Sequence, residues 1–278
     1  MATLYLVATP IGNLEDFSPR GQRILNEVSL IAAEDTRHSR KLLNHFEIPT
    51  PLTSYFEHSR PTKLAEIIKQ LDAGTDIALI SDAGTPAIND PGYLLVRAAL
   101  DAGHVVSPIP GPSAPIAALA ASGLPTDTFI YLGYLPRKEK ARREFLQQNS
   151  SHNHTLIFLE TPHRIQAALV DLLDVLGDRQ IAVAAELTKR FERYYRGSLS
   201  AAQTFFEGEP ARGEFTIVVE GQPKEKQLWD EAHVIKAVRE GLAGPQSTSQ
   251  LARLIAADSG WQRNLVYDLL VKERNQKE

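Results

Sequence analysis

The sequence predicts an α/β protein made of two α/β domains and a small helical extension, on three observations. Short β-rich apolar runs alternate with amphipathic stretches from residue 3 to about 123. After "GLPTD" the texture shifts to longer apolar runs, still separated by helical stretches. After the polar "GQPKEKQ" only helical patterns follow. The implied boundaries are 1–124, 125–222 and 228–278, and a chain of 278 residues is long enough for both α/β domains to bury cores of their own.

In order, "TLYLVAT" reads as a strand, and "SPRGQRILNEV" as a helix with Ser18 at the N-cap and Pro19 at the first helical position. "LIAAED" is the second strand, followed by a helix carrying Leu42, Leu43 and Phe46. In "PTKLAEIIKQLDAG" the apolar residues Leu64, Ile67, Ile68 and Leu71 share one helix face, and Gly74 stands where the chain leaves the helix. "DIALIS" is a third, buried strand, "PGYLLVRAALDAG" a helix opened by Pro91 and Gly92, "HVVSPIP" a strand and "SAPIAALAASG" a helix. A largely parallel sheet follows from this alternation.

In the second domain, "FIYLGYLP", "TLIFLET", "QIAVAAELT" and "EFTIVVEG" predict strands of a mixed sheet, with helices near 138–149, 162–176 and 199–207. The polar stretch then acts as a linker to helices near 228–241, 247–258 and 261–274. The last two read as a helix-turn-helix whose small core is Leu251, Leu254, Ile255, Leu265, Leu269 and Leu270, with Ser247 or Thr248 as cap.

Composition narrows the function. The chain has no cysteine, so disulfides and thiolate zinc sites are excluded, and the histidines show no metal-ligand spacing; "HNH" at 152–154 reads as a polar turn. There is no apolar run near 18 residues and no signal-peptide pattern, which predicts a cytoplasmic protein without a membrane partner. A net charge of -4 argues against wholesale polyanion binding, so any nucleic-acid contact must come from local basic clusters. None of the 17 glycines has another two positions away, so the sequence holds no G-x-G-x-x-G, and it holds no P-loop. Yet three glycine-proline loops, "TPIGN", "SDAGTPAINDPG" and "PGPSAP", follow candidate strands, where ligands of open α/β sheets bind. Loops of this kind without a phosphate cradle suit a nucleoside that carries no phosphate.

"VATPIGNLEDFSPR", "LIAAEDTRHSRKLL", "ALISDAGTPAINDPG", "PIPGPSAPIAALAASGL", "LETPHRI" and "AELTKRFERYYRG" together resemble the ribosomal small-subunit RNA 2′-O-methyltransferase I family, of the tetrapyrrole-methylase-like, class III S-adenosylmethionine enzymes. The resemblance runs over about residues 3–221. It implies the tetrapyrrole-methylase type of fold, S-adenosyl-L-methionine in a cleft between the two α/β domains, a homodimer, and methylation of the ribose of a decoding-centre cytidine in 16S rRNA, naked or within the assembled small subunit. On the same match Pro10, Ile11, Gly12, Ser81, Asp82, Ala83, Gly84, Thr85, Pro86, Ser113 and Ala114 border the cofactor, joined less firmly by Glu160, Ala185 and Thr216.

A ribose hydroxyl is a poor nucleophile near neutral pH and benefits from a proton acceptor. Asp35, Asp90, Glu186 and Lys189 are the candidates, and the sequence does not choose among them. His163 and Arg164 follow a strand at a position that can face the cleft. Two segments have the chemistry for RNA. "RKEKARR" offers Arg137, Lys138, Arg142 and Arg143, and "KRFERYYR" offers Lys189, Arg190, Arg193 and Arg196 with rings between them. The alternatives are solvated helix and edge-strand faces. From 222 to 278 nine Lys plus Arg stand against eight Asp plus Glu, too even a balance to assign RNA binding to the terminal helices. Rival functions are a tetrapyrrole methylase of the precorrin or uroporphyrinogen type, and a non-catalytic RNA-binding assembly factor on the same fold.

Overall fold

The computed structural model describes all residues except 56–59, 91, 208–212, 224–227, 245 and 276–278. Pro91 and most of the expected linker lie outside the described residues. The first sheet contains β1 (Thr3–Val7), β2 (Leu30–Ala33), β3 (Leu52–Ser54), β4 (Ile77–Ile80) and β5 (Val105–Ile109) in the order β3-β2-β4-β1-β5, with every pair parallel. Helices α1 (Pro19–Glu27) and α2 (Thr36–His45) cover one face, while α3 (Arg60–Asp72) and α4 (Tyr93–Asp101) cover the other. Strand β4 shows why the sheet is buried on both sides: Ala78 and Ile80 pack toward α1 and α2, Ile77 and Leu79 toward α3 and α4.

Local chemistry sets the ends of these elements. The Ser18 hydroxyl accepts the Gly21 N–H at 3.0 Å with Pro19 next to it, and the chain turns away from α3 at Gly74, whose φ of +86° suits a residue without a side chain. Strand β3 has no counterpart among the expected strands. It is three residues long, lies at the sheet edge and follows two closely spaced prolines, too short to show a period.

The second sheet is mixed. Strands β6 (Phe129–Tyr134), β7 (Thr155–Glu160), β8 (Gln180–Ala185), β9 (Arg193–Ser198) and β10 (Phe215–Val219) lie in the order β6-β7-β10-β8-β9, and only the β6-β7 pair is parallel. Helices α6 (Glu139–Asn149), α7 (Ile165–Leu176) and α8 (Leu199–Phe206) bury one face. The other face receives α5 (Ala114–Ala120), which follows β5 of the first sheet and sets Ala118 and Leu119 against Ile157, Ala182, Ala184 and Val218. This packing joins the two sheets into one compact unit, Met1–Gln222.

Residues Pro223–Glu278 form a second compact unit of α9 (Glu231–Gly241), α10 (Thr248–Ser259) and α11 (Arg263–Asn275). Ser247 caps α10 in a reciprocal box with Gln250. Its core holds Val234, Val238, Leu251, Ala252, Ile255, Val266 and Leu270. Leu254 and Leu265, expected in that core, are on exposed helix faces, and Ala252 and Val266 take the inward positions instead. Among the described residues no helix is long and apolar enough to cross a membrane.

Candidate active site

Because β4, β1 and β5 are neighbours, the loops after them converge at one edge of the first sheet. Backbone bonds lock the first two together: the Thr9 N–H donates to Gly84 O at 2.9 Å and the Gly84 N–H to Thr9 O at 3.0 Å. The Thr85 hydroxyl donates to the Pro112 carbonyl at 3.3 Å and ties in the third. Against this edge lies the second sheet, leaving a cavity of about 260 Å³.

Ile11, Asp82, Ala83, Gly84, Thr85, Ser113, Ala114 and Thr216 line the cavity. Pro10, Gly12, Ser81 and Pro86 flank them without lining it. Ser81 is buried and braces the loop, its hydroxyl within 3.3 Å of Ala83 O and its carbonyl accepting the Thr9 hydroxyl. Gly12 is needed for closeness: a Cβ there meets Lys189 Cγ at 2.5 Å and the Leu187 carbonyl at 2.9 Å, so its bare backbone admits the 186–189 loop.

Glu160 and Ala185 do not line the cleft, and register explains why. Both pair with Phe215 in one cross-strand row; Phe215 and Ala185 belong to the core under α7 and α8, and of this row only Phe215, between the lining residues Glu214 and Thr216, also touches the cavity. Thr216, one residue on, takes the opposite, cleft-side face together with its partner Leu159. Glu160 is fully buried and engaged through one oxygen: the Arg164 guanidinium lies 2.6 Å from its Oε1, which also accepts the Thr161 N–H at 2.6 Å, while its Oε2 has no hydrogen-bond partner among the described residues. Arg164 therefore holds a strand end together, with its other nitrogen donating to Leu135 O at 3.1 Å.

The catalytic candidates separate clearly. Asp35 lies outside the cavity as the N-cap of α2, accepting the Arg37 N–H at 2.8 Å. Hydrogen bonds from Arg37 hold its carboxyl at about 2. Glu186 and Lys189 line the cavity as an ion pair at 2.8 Å. Asp90 also lines it, and burial, reinforced by the charge of Glu34, pushes its carboxyl up to about 6. Glu34 is raised as well, first by burial and then by Asp82, whose Oδ1 accepts the Asp35 N–H at 3.2 Å.

Among the lining residues that sequence reasoning missed are Glu34, Asn89, Tyr131, Tyr134, Leu159 and Glu214. Glu34 ends β2 beside Asp35, so the strand-end rule alone was enough to find it. Asn89 lies in the 81–92 loop already singled out, and the others need the register of the second sheet. Asn89, with φ of 64°, fits its side chain against Gly133, where a Cβ meets Asn89 Nδ2 at 2.7 Å, and Gly133 itself has φ of +67° in the irregular stretch between Tyr131 and Tyr134. Ala87, Asn89, Glu186 and Thr188 all have positive φ, so backbone strain gathers in the two loops facing the cavity.

The basic segments also divide. Arg142 drops out of the RNA-contact set because it is 4% exposed, with Asp171 2.6 Å from its guanidinium. Arg143 is paired with Asp171 and Asp174, and Lys189 with Glu186. Arg196 stacks over Tyr194 at 4.5 Å and donates to Ala121 O at 3.0 Å, pinning the end of α5 to β9, which is an edge strand. Arg193 is half-buried, whereas Arg137, Lys138 and Arg190 face solvent. Among the described residues no group of His, Asp and Glu is placed to hold a metal ion.

Comparison with known proteins bears on this geometry. The family model for tetrapyrrole (corrin/porphyrin) methylases matches residues 3–203. The chain belongs to the tetrapyrrole methylase family. Within that family it is 44% identical to "Ribosomal RNA small subunit methyltransferase I" of Halalkalibacterium halodurans, over 98% of this chain and 95% of the relative. It is 45% identical to the protein of the same name from Synechocystis sp., over 97% of each. Solved tetrapyrrole methylase-like structures share the fold at low identity. A diphthine synthase superposes with a TM-score of 0.62 at 14% identity, covering 79% of this chain and 90% of its own. Uroporphyrin-III C-methyltransferase from Thermus thermophilus, in complex with S-adenosylhomocysteine, does so with a TM-score of 0.53 at 20% identity, covering 78% and 97%.

Proposed function

We propose that the protein is an S-adenosylmethionine-dependent methyltransferase that methylates the ribose 2′-hydroxyl of a decoding-centre cytidine in 16S rRNA, acting in the cytoplasm as a homodimer. The observation that carries this reading is the extent of the match: relatives named for small-subunit rRNA methylation align over 97–98% of the chain, whereas the family model ends at residue 203, ahead of the helical unit. These relatives therefore match the chain beyond the segment common to the tetrapyrrole methylase family, into the helical unit.

The cavity's donor set fits the cofactor. Glu34 and Asp82 end adjacent strands β2 and β4, where carboxylates commonly take the hydroxyls of a nucleoside ribose. Ile11, Ala114 and Leu187 offer apolar surface for a base. Five carboxylates, Glu34, Asp82, Asp90, Glu186 and Glu214, face one ammonium, Lys189, which suits a cationic, phosphate-free ligand. When bound, the cofactor supplies an electrophilic methyl group. The chain's part is alignment and proton removal. Asp90 is the acceptor we favour: its carboxyl, at about 6, is ionised at neutral pH and basic enough to take the proton that the ribose hydroxyl gives up on methylation. Asp35 is too weak a base and outside the cavity, while Glu186 is engaged by Lys189. The same acidic lining disfavours an anionic macrocycle as substrate.

Labelled cofactor offered with small ribosomal subunits, with naked 16S rRNA and with uroporphyrinogen tests the reading. Label in a 2′-O-methylcytidine after nuclease digestion is the expected result. Label in the macrocycle, or in a base, overturns it.

A further inference from the structure

Helix α2 (Thr36–His45) carries Arg37, His38, Arg40, Lys41 and His45, and no acidic residue in its ten positions. This is an unusual density in a chain of net charge -4. Its inward face is Ser39 and Leu43, and on its outer face Thr36, Arg37, Arg40, Lys41 and Asn44 line a shallow groove. Spacings of three and four residues keep these side chains on one side of the helix. Arg37 is partly engaged by Asp35 at 3.1 Å. Arg40 and Lys41 are exposed, and among the described residues neither has an ion-pair partner.

The groove starts where the acidic cleft ends. Glu34, two residues before α2, lines the cleft, and the intervening Asp35 N–H is bonded to the Asp82 carboxylate. Two opposite charge environments therefore adjoin. The carboxylates inside repel phosphate, so a nucleotide presenting its ribose to the cleft must leave its phosphates outside. A described cationic surface outside that rim is α2, which starts two residues after Glu34 and whose N-terminus adds its own partial positive charge.

We propose that the α2 groove holds phosphates of the substrate RNA strand flanking the target nucleotide, with Arg40 and Lys41 as the main contacts. This rests on the RNA reading above. Charge on α2 then positions the strand, and the acidic cleft admits only a nucleoside portion. It also explains how a net acidic protein engages a polyanion: the binding charge is local and placed beside the reacting centre.

The test is binding of a naked 16S rRNA fragment and of small subunits at several salt concentrations, using the full chain and the Arg40→Gln/Lys41→Gln and Arg40→Glu/Lys41→Glu variants. Loss of two single-strand phosphate contacts makes the slope of log affinity on log salt shallower by about 1.4, so the gap from wild type widens about sevenfold for each fourfold drop in salt. Affinity for S-adenosylmethionine and the circular dichroism spectrum stay as in wild type. Asn44→Asp adds a negative charge in the groove without removing a basic group, and lowers RNA affinity in the same direction. An unchanged slope in the Glu variant overturns the proposal. Weakening seen only with assembled subunits, and not with naked RNA, assigns the groove to a ribosomal protein and overturns it as well. If the wild-type protein itself binds neither RNA nor subunits, the functional reading fails before the groove is at issue.

Discussion

The two sheets that meet at the cleft contribute unlike parts. The parallel sheet presents its edge: irregular backbone and carboxylates from the ends of β2 and β4 and from the loops after β1, β4 and β5. The mixed sheet presents mainly a face, with Tyr131, Leu159 and Thr216 projecting from strands whose opposite sides are packed under helices. Loop backbone can carry a titratable group into a half-buried place, as it does Asp90. A pleated strand fixes its side chains at two-residue intervals and makes a stiff wall. The difference teaches that the carboxyls pushed up by burial, Glu34 and Asp90, come from the first sheet's edge, while the second sheet's face gives shape and its loops add Glu186, Lys189 and Glu214.

The largest expected effect comes from Asp90. Asp90→Asn lowers kcat by about 10²- to 10⁴-fold, the usual worth of a general base. In the wild type the rate rises with pH through about 6 as the carboxyl ionises, and this limb is absent in the variant. The stability effect has the opposite sense. Because the folded carboxyl titrates above its unfolded value of 3.8, the native state holds more protons between 3.8 and about 6, and stability falls as pH rises across that window. The amide variant is therefore more stable than wild type at neutral pH, by about 1 kcal/mol once solvent screening is allowed for. A variant that keeps full activity moves the chemistry off the first sheet's edge.

Next is Arg142, where the second half spends charge on its own scaffold. Arg142→Gln leaves Asp171 buried without its closest partner and costs about 3–5 kcal/mol in urea unfolding, the range for breaking a buried pair. Arg143→Gln, on a half-exposed partner of the same carboxylate, shifts the unfolding midpoint far less, because solvent screens the exposed pair. Equal costs in the two variants contradict the burial difference between them.

Cofactor affinity sharpens the contrast further. Asp82→Ala weakens S-adenosylmethionine binding by about 10- to 100-fold, since a hydrogen bond to a charged group is worth about 1.5–3 kcal/mol. Calorimetry reads this directly, and unchanged affinity removes Asp82 from the site.

The same contrast governs what could be read from the chain. Loops such as "SDAGTP" and "PGPSAP" declare themselves by glycine and proline after an apolar run, and the parallel order of the strands then brings them together. The loops that hold Asp82, Thr85 and Ser113 were legible for that reason, while the family resemblance picked out those residues within them. Tyr131, Leu159 and Glu214 were not, because a strand's two faces are equivalent until its partners are known. Glu160 and Ala185 illustrate the cost: each is one position away from a cleft-lining residue, and one position is enough to place it on the far face. Arg142 fails differently, since "RKEKARR" looks wholly solvated and only Asp171, 29 residues on, draws one of its arginines inside. Likewise β3 is too short to show any period.

The smallest expected effect tests the wall itself. Thr216 sits in the central strand β10, paired with Leu159 on one side and Ala184 on the other, so its backbone is fixed by both neighbours. Thr216→Val keeps the β-branched shape that a strand favours and removes only the hydroxyl. If the second sheet supplies shape alone, cofactor affinity changes by less than about threefold, below the roughly 1 kcal/mol worth of a typical neutral hydrogen bond. Stability stays the same or rises slightly, because a buried hydroxyl is exchanged for a methyl group. A loss as large as that of Asp82→Ala means that the strand face recognises the ligand through a directed hydrogen bond, and the division between reactive edge and inert wall fails at the residue where it is easiest to check.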